Sequence, residues 1–244
     1  MKRPKMILFD YGQTLVNEER FDGVRGTEAV LQYCTGNKYH LTAEQIQQEA
    51  NAINNELGRF DPAKRHLFQV EAPNYMFTAY LYESLGIQLS LTSEQVDRVF
   101  WDAAAPGKPT EGIVEFLEYL REQEVRTGVI SNISFNGRVV EQRIRGLFPE
   151  HNFEFILATS EYLFRKPNKR IFRLALEKAD LEPEDAWYIG DQYECDIVGA
   201  AGAGLFPVWY TGAMDMPYIP HEGVLTAGSW EEIRAVLDKC GDDR

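Results

Sequence analysis

No stretch of about 18 apolar residues occurs in this sequence, so it holds no candidate transmembrane helix. The basic start Met-Lys-Arg-Pro-Lys leads into Met6-Ile7-Leu8-Phe9, and Asp10 ends that apolar run. A secretory leader needs about 7–15 apolar residues. None is expected, and a cytoplasmic protein is. Cysteine is scarce: Cys34, Cys195 and Cys240 lie far apart in no CxxC pair. They form no disulfide framework and read as reduced thiols. The histidines His40, His66, His151 and His221 are equally scattered, and the absence of HExxH argues against a zinc site. Positive charge is also short, with 25 Lys and Arg against 38 Asp and Glu, a net charge of −13. Such a surface repels a phosphate backbone, so nucleic acid is not an expected partner. A small anion stays open, because a bound metal dominates the field beside it.

What is present is ordinary for a chain with a buried core: of 244 residues, 44% are hydrophobic and 26% charged. Continuous apolar runs at 6–9, 125–130, 155–158, 186–189 and 205–209 predict strands buried on both faces. Helical patterns lie between them. Ile113, Phe116, Leu117 and Leu120 fall at i, i+3, i+4, i+7, with Glu111, Glu115, Glu118 and Glu122 on other faces. Ile171, Leu174, Ala175 and Lys178 mark another helix after Pro167, and Ser229 with Glu232 forms a capping box for a last one. The alternation implies an α/β class, with a Rossmann-like parallel sheet covered by helices on both faces.

Residues 17–105 break the rhythm. No buried strand is expected there. Helices are, at about 22–35, 42–58, 73–85 and 92–104, with capping boxes at Thr42/Gln45 and Thr92/Gln95 and stops at Gly36, Gly58 and Gly86. A β–α–β crossover needs only a dozen or so residues. The block is therefore an inserted second, α-helical domain at 17–105, with the core at 1–16 and 106–244 and a return hinge at Pro106-Gly107-Lys108-Pro109. Its aromatic residues, Phe60, Phe68, Tyr75, Phe77, Tyr80, Phe100 and Trp101, read as the core of that domain at helical spacing. Arg20, Arg25 and Arg59 are possible anion contacts.

Polar residues end three of the apolar strands. Asp10 follows the first, Ser131-Asn132 the second, and Gly190-Asp191 the fourth, with Asp196 shortly after. Ligands of open parallel sheets bind beyond the carboxyl ends of the strands, so these residues should converge. Lys166, in the loop after the third strand, can reach the same place. Carboxylates brought together repel unless a cation joins them, and an oxygen-only ligand set suits Mg2+. A metal-polarised phosphoryl group beside a carboxylate permits catalysis through an aspartyl-phosphate. Ser131 and Asn132 are then donors to phosphoryl oxygens and Lys166 a neutralising cation. The small-residue run Gly199 to Gly204 is expected to pack closely on the sheet rather than bind a nucleotide.

The segment Asp10-Tyr11-Gly12-Gln13-Thr14-Leu15 resembles the first motif of the haloacid dehalogenase-like hydrolase superfamily, an apolar strand leading to DxDxT. Val129-Ile130-Ser131-Asn132 is similar to its second motif, and Arg165-Lys166-Pro167 with Ile171-Phe172 to its third. Gly190-Asp191 through Asp196-Ile197, with Gly199-Ala200 and Ala203-Gly204, resembles its fourth. The helical insertion after the first motif lies where this family places its C1-type cap. The resemblance implies that Asp10 is the nucleophile and that Lys166 pairs with it. It implies that Thr14 and Ser131 hold the phosphoryl group with Asn132 beside them. Mg2+ is then bound by Asp10, the Gly12 carbonyl and Asp191, with Asp196 in support. The substrate implied is a small phosphorylated molecule; oligomeric state is left open.

One position departs from the motif. Gly12 stands where the family's phosphatases carry the aspartate that protonates the leaving oxygen and then activates water. Four readings follow. The first is a magnesium-dependent phosphohydrolase using activated substrates or another acid, for which Glu18, Glu19 and Glu194 are candidates. The second is a phosphonatase-like enzyme with a cap lysine, Lys38 or Lys64. The third is a metal-independent 2-haloacid dehalogenase, against which the intact Gly190-Asp191 motif argues. The fourth is a binding protein that has lost turnover. If position 12 is a true vacancy, Gly12→Asp should raise activity on alkyl phosphates.

Overall fold

The computed structural model describes residues 1–58, 69–213 and 221–241. In chain order its elements are β1 (Met6–Phe9), β2 (Val16–Glu18), α1 (Gly23–Leu31), β3 (Cys34–Asn37), α2 (Ala43–Leu57), α3 (Asn74–Ser84), β4 (Ile87–Leu89) and α4 (Ser93–Ala104). Then follow β5 (Gly107–Pro109), α5 (Ile113–Glu122), β6 (Arg126–Ser131), α6 (Gly137–Leu147), β7 (Ile156–Ala158), α7 (Lys169–Ala179) and β8 (Ala186–Gly190). The chain closes with α8 (Gly199–Ala203), β9 (Phe206–Tyr210), β10 (Leu225–Ala227) and α9 (Trp230–Leu237).

Six strands form one sheet in the order β10-β9-β8-β1-β6-β7, and every pairing in it is parallel. Strand side chains alternate between faces. Ile7, Phe9, Val129, Trp187 and Ile189 therefore join one buried cluster with residues of α5, α6 and α9. Met6, Leu8, Ile130 and Tyr188 face the other side and pack on α7 and α8. Continuous apolar runs are what a strand covered on both faces requires, and five expected strands appear within a residue or two. The sixth, β10, was not expected, because a partly buried strand of three residues leaves little pattern. Among the described residues no helix is long and apolar enough to cross a membrane.

The inserted block has its own buried cluster, including Val30, Ile46, Ala50, Leu81, Tyr82, Ile87 and Val96. Both expected capping boxes form, and Gly58 closes α2 in the left-handed region at φ 70°. The expectation of an all-helical block is corrected. Strands β3 and β4 pair antiparallel inside it, α1 stops at Leu31, and Gly36 sits in β3 beside a register shift instead of ending a helix. Strands this short are exposed along part of their length, so neither period is legible in the residues. The return hinge is likewise a strand: β5 pairs antiparallel with β2, matching Glu18 to Gly107. Of the block's aromatics, Phe77 and Phe100 pack on its cluster, whereas Tyr75 and Tyr80 are exposed and Trp101 joins the main core. Phe60 and Phe68 lie outside the described residues.

Candidate active site

The sheet reverses direction around β1: the chain runs outward through β6 and β7 on one side and through β8, β9 and β10 on the other. The crevice beyond the carboxyl ends of strands at such a switch point is where open α/β sheets take ligands. Asp10 directly follows β1, Ser131 ends β6, and Asp191 directly follows β8. Asp10 is held in line by its own N–H, which donates to Ile189 O at 2.8 Å.

Lys166 reaches this crevice from the segment before α7. Its side chain is 2% exposed, and Nζ donates to Asp10 Oδ1 at 2.7 Å, Asp196 Oδ1 at 2.6 Å and the Tyr188 hydroxyl at 2.6 Å. Burial alone lowers the pKa of this amine. The two carboxylates outweigh it and hold the ammonium above its ordinary value. Asn132 fixes the Lys166 backbone from both sides, donating to its carbonyl at 2.9 Å and accepting from its N–H at 2.8 Å. Asn132 lines the cavity, but its amide is engaged in positioning Lys166.

Asp10, Asp191 and Asp196 offer ligand oxygens that all lie within 4.8 Å of one another. Asp196 is fully buried on a π-helical turn over Tyr193–Val198, where Oδ2 accepts from Gln192 N at 2.9 Å. A Cβ at residue 190 would collide with the Asp196 carboxyl group, so glycine is what lets this turn close. Burial pushes Asp196 up to about 6 against the pull of Lys166. Burial, with the charges of Asp10 and Asp196 beside it, pushes Asp191 up to about 8. Asp191 Oδ1 is buried and has no hydrogen-bond partner among the described residues. An orphaned carboxylate oxygen among repelling carboxylates is the environment a hard divalent cation satisfies, so the donor set fits Mg2+.

These residues line a cavity of about 240 Å3, joined in its walls by Gly12, Ser131, Asn132 and Gln192. Thr14 is the exception among the expected site residues. It is fully buried, is not part of the cavity wall, and its hydroxyl has no partner among the described residues, while its carbonyl accepts from Thr110. Toward the inserted block a second cavity of about 500 Å3 shares Gln13, Glu18 and Ile133 with the first and adds Arg20, Phe21, Trp101 and Phe135. Trp101 stacks on Phe135 at 4.9 Å and 23°. Arg25 pairs with Glu19, and Arg59 lies outside the described residues. Lys38 lies over Tyr39 and lines neither cavity; Lys64 is outside the described residues.

Between the two cavities sits a polar cluster that the sequence does not reveal. Glu18 Oε1 accepts from Trp101 Nε1 at 2.9 Å, the Tyr11 hydroxyl at 3.3 Å and Arg143 Nη2 at 3.4 Å. Arg143 also donates to the Tyr11 hydroxyl at 2.8 Å, to Asp102 at 2.8 Å and to the Ala105 carbonyl, and its guanidinium lies over the Trp101 ring at 4.4 Å. Burial raises the Glu18 carboxyl above its ordinary value in spite of Arg143. Tyr188 is a further residue missed. Its only sequence signal is a phenol inside an apolar strand, which must find a buried partner.

A family model described as haloacid dehalogenase-like hydrolase matches residues 4–204. Haloacid dehalogenase-like hydrolase domain-containing protein 3 of Mus musculus is 31% identical over 48% of this chain and 46% of its own length. A glyceraldehyde 3-phosphate phosphatase of Methanothermobacter thermautotrophicus is 33% identical over 40% and 42%. The chain thus spans less than half the length of these relatives. Pyrimidine 5'-nucleotidase YjjG of Escherichia coli is 28% identical over 83% of this chain and 84% of its own. Two solved structures share the fold at a TM-score of 0.63. A 2-haloacid dehalogenase of Pseudomonas syringae is 20% identical over 97% of this chain and 99% of its own, and a HAD phosphatase of Thermococcus onnurineus 18% identical over 98% and 99%.

Proposed function

The chain belongs to the haloacid dehalogenase-like hydrolases, and on that premise we propose that it is a magnesium-dependent phosphohydrolase acting on a small phosphorylated metabolite through an aspartyl-phosphate at Asp10. The observation that carries the reading is Asp191 Oδ1, buried without a partner among the described residues, in a cluster of three carboxylates. A metal-independent dehalogenase has no use for that arrangement. Asp10, Asp191 and the Gly12 carbonyl would hold Mg2+, with Asp196 supporting it, and the ion would polarise a phosphoryl oxygen.

The remaining work falls to the chain's own side chains. Lys166 holds Asp10 by one oxygen, Oδ1, which leaves the other to attack phosphorus. The same ammonium neutralises charge that grows on the phosphoryl oxygens. Ser131, at the end of β6 in the cavity wall, donates to them in this reading. Tyr188 and Asp196 fix the ammonium from behind. The 500 Å3 cavity beyond Gln13 receives the leaving group, and its Trp101–Phe135 wall suits a flat or apolar part. We assign residues 1–16 and 106–244 to the core and 17–105 to the cap that covers this cavity. Three free cysteines are compatible with a reducing, cytoplasmic setting.

The test is a panel of phosphorylated metabolites and p-nitrophenyl phosphate, assayed with Mg2+ and with chelator. Magnesium-dependent release of phosphate supports the reading. Absence of phosphate release with Mg2+, or metal-independent dechlorination of a 2-haloacid, overturns it.

A further inference from the structure

We infer that Glu18 carries out the proton transfers for which Gly12 has no side chain. The inference rests on the phosphohydrolase reading above. Among the described residues beyond its chain neighbours, a Cβ at Gly12 would have one heavy atom within 4 Å, Glu18 Oε2 at 3.7 Å. The carboxylate of β2 therefore occupies the side of the site that a longer residue at position 12 would fill. The two oxygens of Glu18 are used differently. Oε1 takes the donors of Trp101, Tyr11 and Arg143, which fix the side chain. Among the described residues no hydrogen bond engages Oε2. Glu18 also lines both cavities, so it stands where the phosphoryl site meets the leaving-group site. Neither other candidate shares this placement. Glu19 lines only the larger cavity and is exposed and paired with Arg25 at 3.2 Å, and Glu194 is exposed and lines neither cavity.

The chemistry balances with this single group. As Asp10 attacks phosphorus, the bond from phosphorus to the leaving oxygen breaks, and that oxygen takes its electron pair and the proton of Glu18. The products are the alcohol, the aspartyl-phosphate and the Glu18 carboxylate. The carboxylate then takes a proton from water as the water oxygen attacks phosphorus. The bond to Asp10 breaks, inorganic phosphate leaves, and Glu18 is protonated again.

The experiment measures kcat/KM for an alkyl phosphate and for p-nitrophenyl phosphate, with Mg2+, in wild type and Glu18→Gln. A positioned acid is worth about 10²–10⁴ in rate on a poor leaving group. Glu18→Gln should lose that much on the alkyl ester and less than about tenfold on the aryl ester, which needs little protonation. A purely structural role would lower both alike, so an equal loss, or none, overturns the inference. A series of aryl and alkyl phosphates tests it separately: kcat/KM of Glu18→Gln should fall more steeply with leaving-group basicity than that of wild type. Equal slopes overturn the assignment. Wild type turning over neither ester would remove the phosphohydrolase reading itself.

Discussion

Replacing Lys166 by Met removes the one ammonium shared by Asp10 and Asp196 and leaves an apolar side chain of similar length. The structure sets the scale. Lys166 is 2% exposed, with carboxylate oxygens at 2.7 and 2.6 Å, and a third carboxylate, Asp191, belongs to the same cluster. Breaking a buried ion pair by deleting one partner costs about 3–5 kcal/mol. For a chain of this size each kcal/mol moves Tm by about 2–4 °C, so the variant should melt about 6–20 °C lower at pH 8. The loss must depend on pH. Asp196 and Asp191 already hold protons up to about 6 and about 8. Without the ammonium their folded-state values rise further above those of the unfolded chain. The folded variant then binds more protons than the unfolded one, and its stability falls as pH rises. The Tm gap to wild type should therefore narrow at pH 5.5. Mg2+ should narrow it too, by replacing the missing positive charge. Thermal melts at both pH values, with and without Mg2+, check this. A gap that is absent at pH 8, or that widens at pH 5.5, would refute the reasoning.

Three further outcomes are expected. Asp10→Asn should abolish phosphate release while leaving Tm within a few degrees of wild type, because an amide keeps the shape but is no nucleophile; retained turnover would remove Asp10 from its role. Asp191→Asn should raise the Mg2+ concentration needed for half-maximal thermal stabilisation at least tenfold, with a smaller effect on apo-protein folding. His151 is held neutral down to about 4 by burial, against an ordinary 6.5, and its Nε2 lies 2.7 Å from Thr127 Oγ1. The unfolded chain takes up that proton first, so stability should fall as pH drops from about 6.5 to about 4. Urea midpoints of His151→Gln should depend less on pH in that window, and an unchanged slope would exclude the residue.

The core is legible because the physics that forms it acts on contiguous residues. Met6–Phe9 and Ala186–Gly190 are buried on both faces, so they must be apolar throughout. Alternation with helices then fixes a parallel sheet. Lys166, Asp191 and Asp196 could be assigned to one crevice because a parallel sheet delivers every strand's carboxyl end to the same edge. The cap ribbon escapes for the opposite reason. Pairing of Cys34–Asn37 with Ile87–Leu89 joins segments far apart in sequence, each too short and too exposed to carry a period.

The gap at Gly12 and its filling differ in the same way. A missing aspartate is visible in the motif itself, since the motif is local. Its replacement is not, because the identity of a proton donor depends on direction as well as residue type. Glu18, Glu19 and Glu194 are equivalent as letters. What separates them is a set of long-range donors: Trp101 from α4 and Arg143 from α6 take up one oxygen of Glu18 and leave the other facing the space above Gly12. Those donors reach Glu18 because β2 and β5 pair at the neck between the cap and the core, matching Glu18 to Gly107. The connection that carries the chain into the cap therefore also delivers the carboxylate to the site. Such an acid would be positioned wherever the neck holds its register, and a change in the neck would alter leaving-group preference without touching Asp10 or the metal ligands.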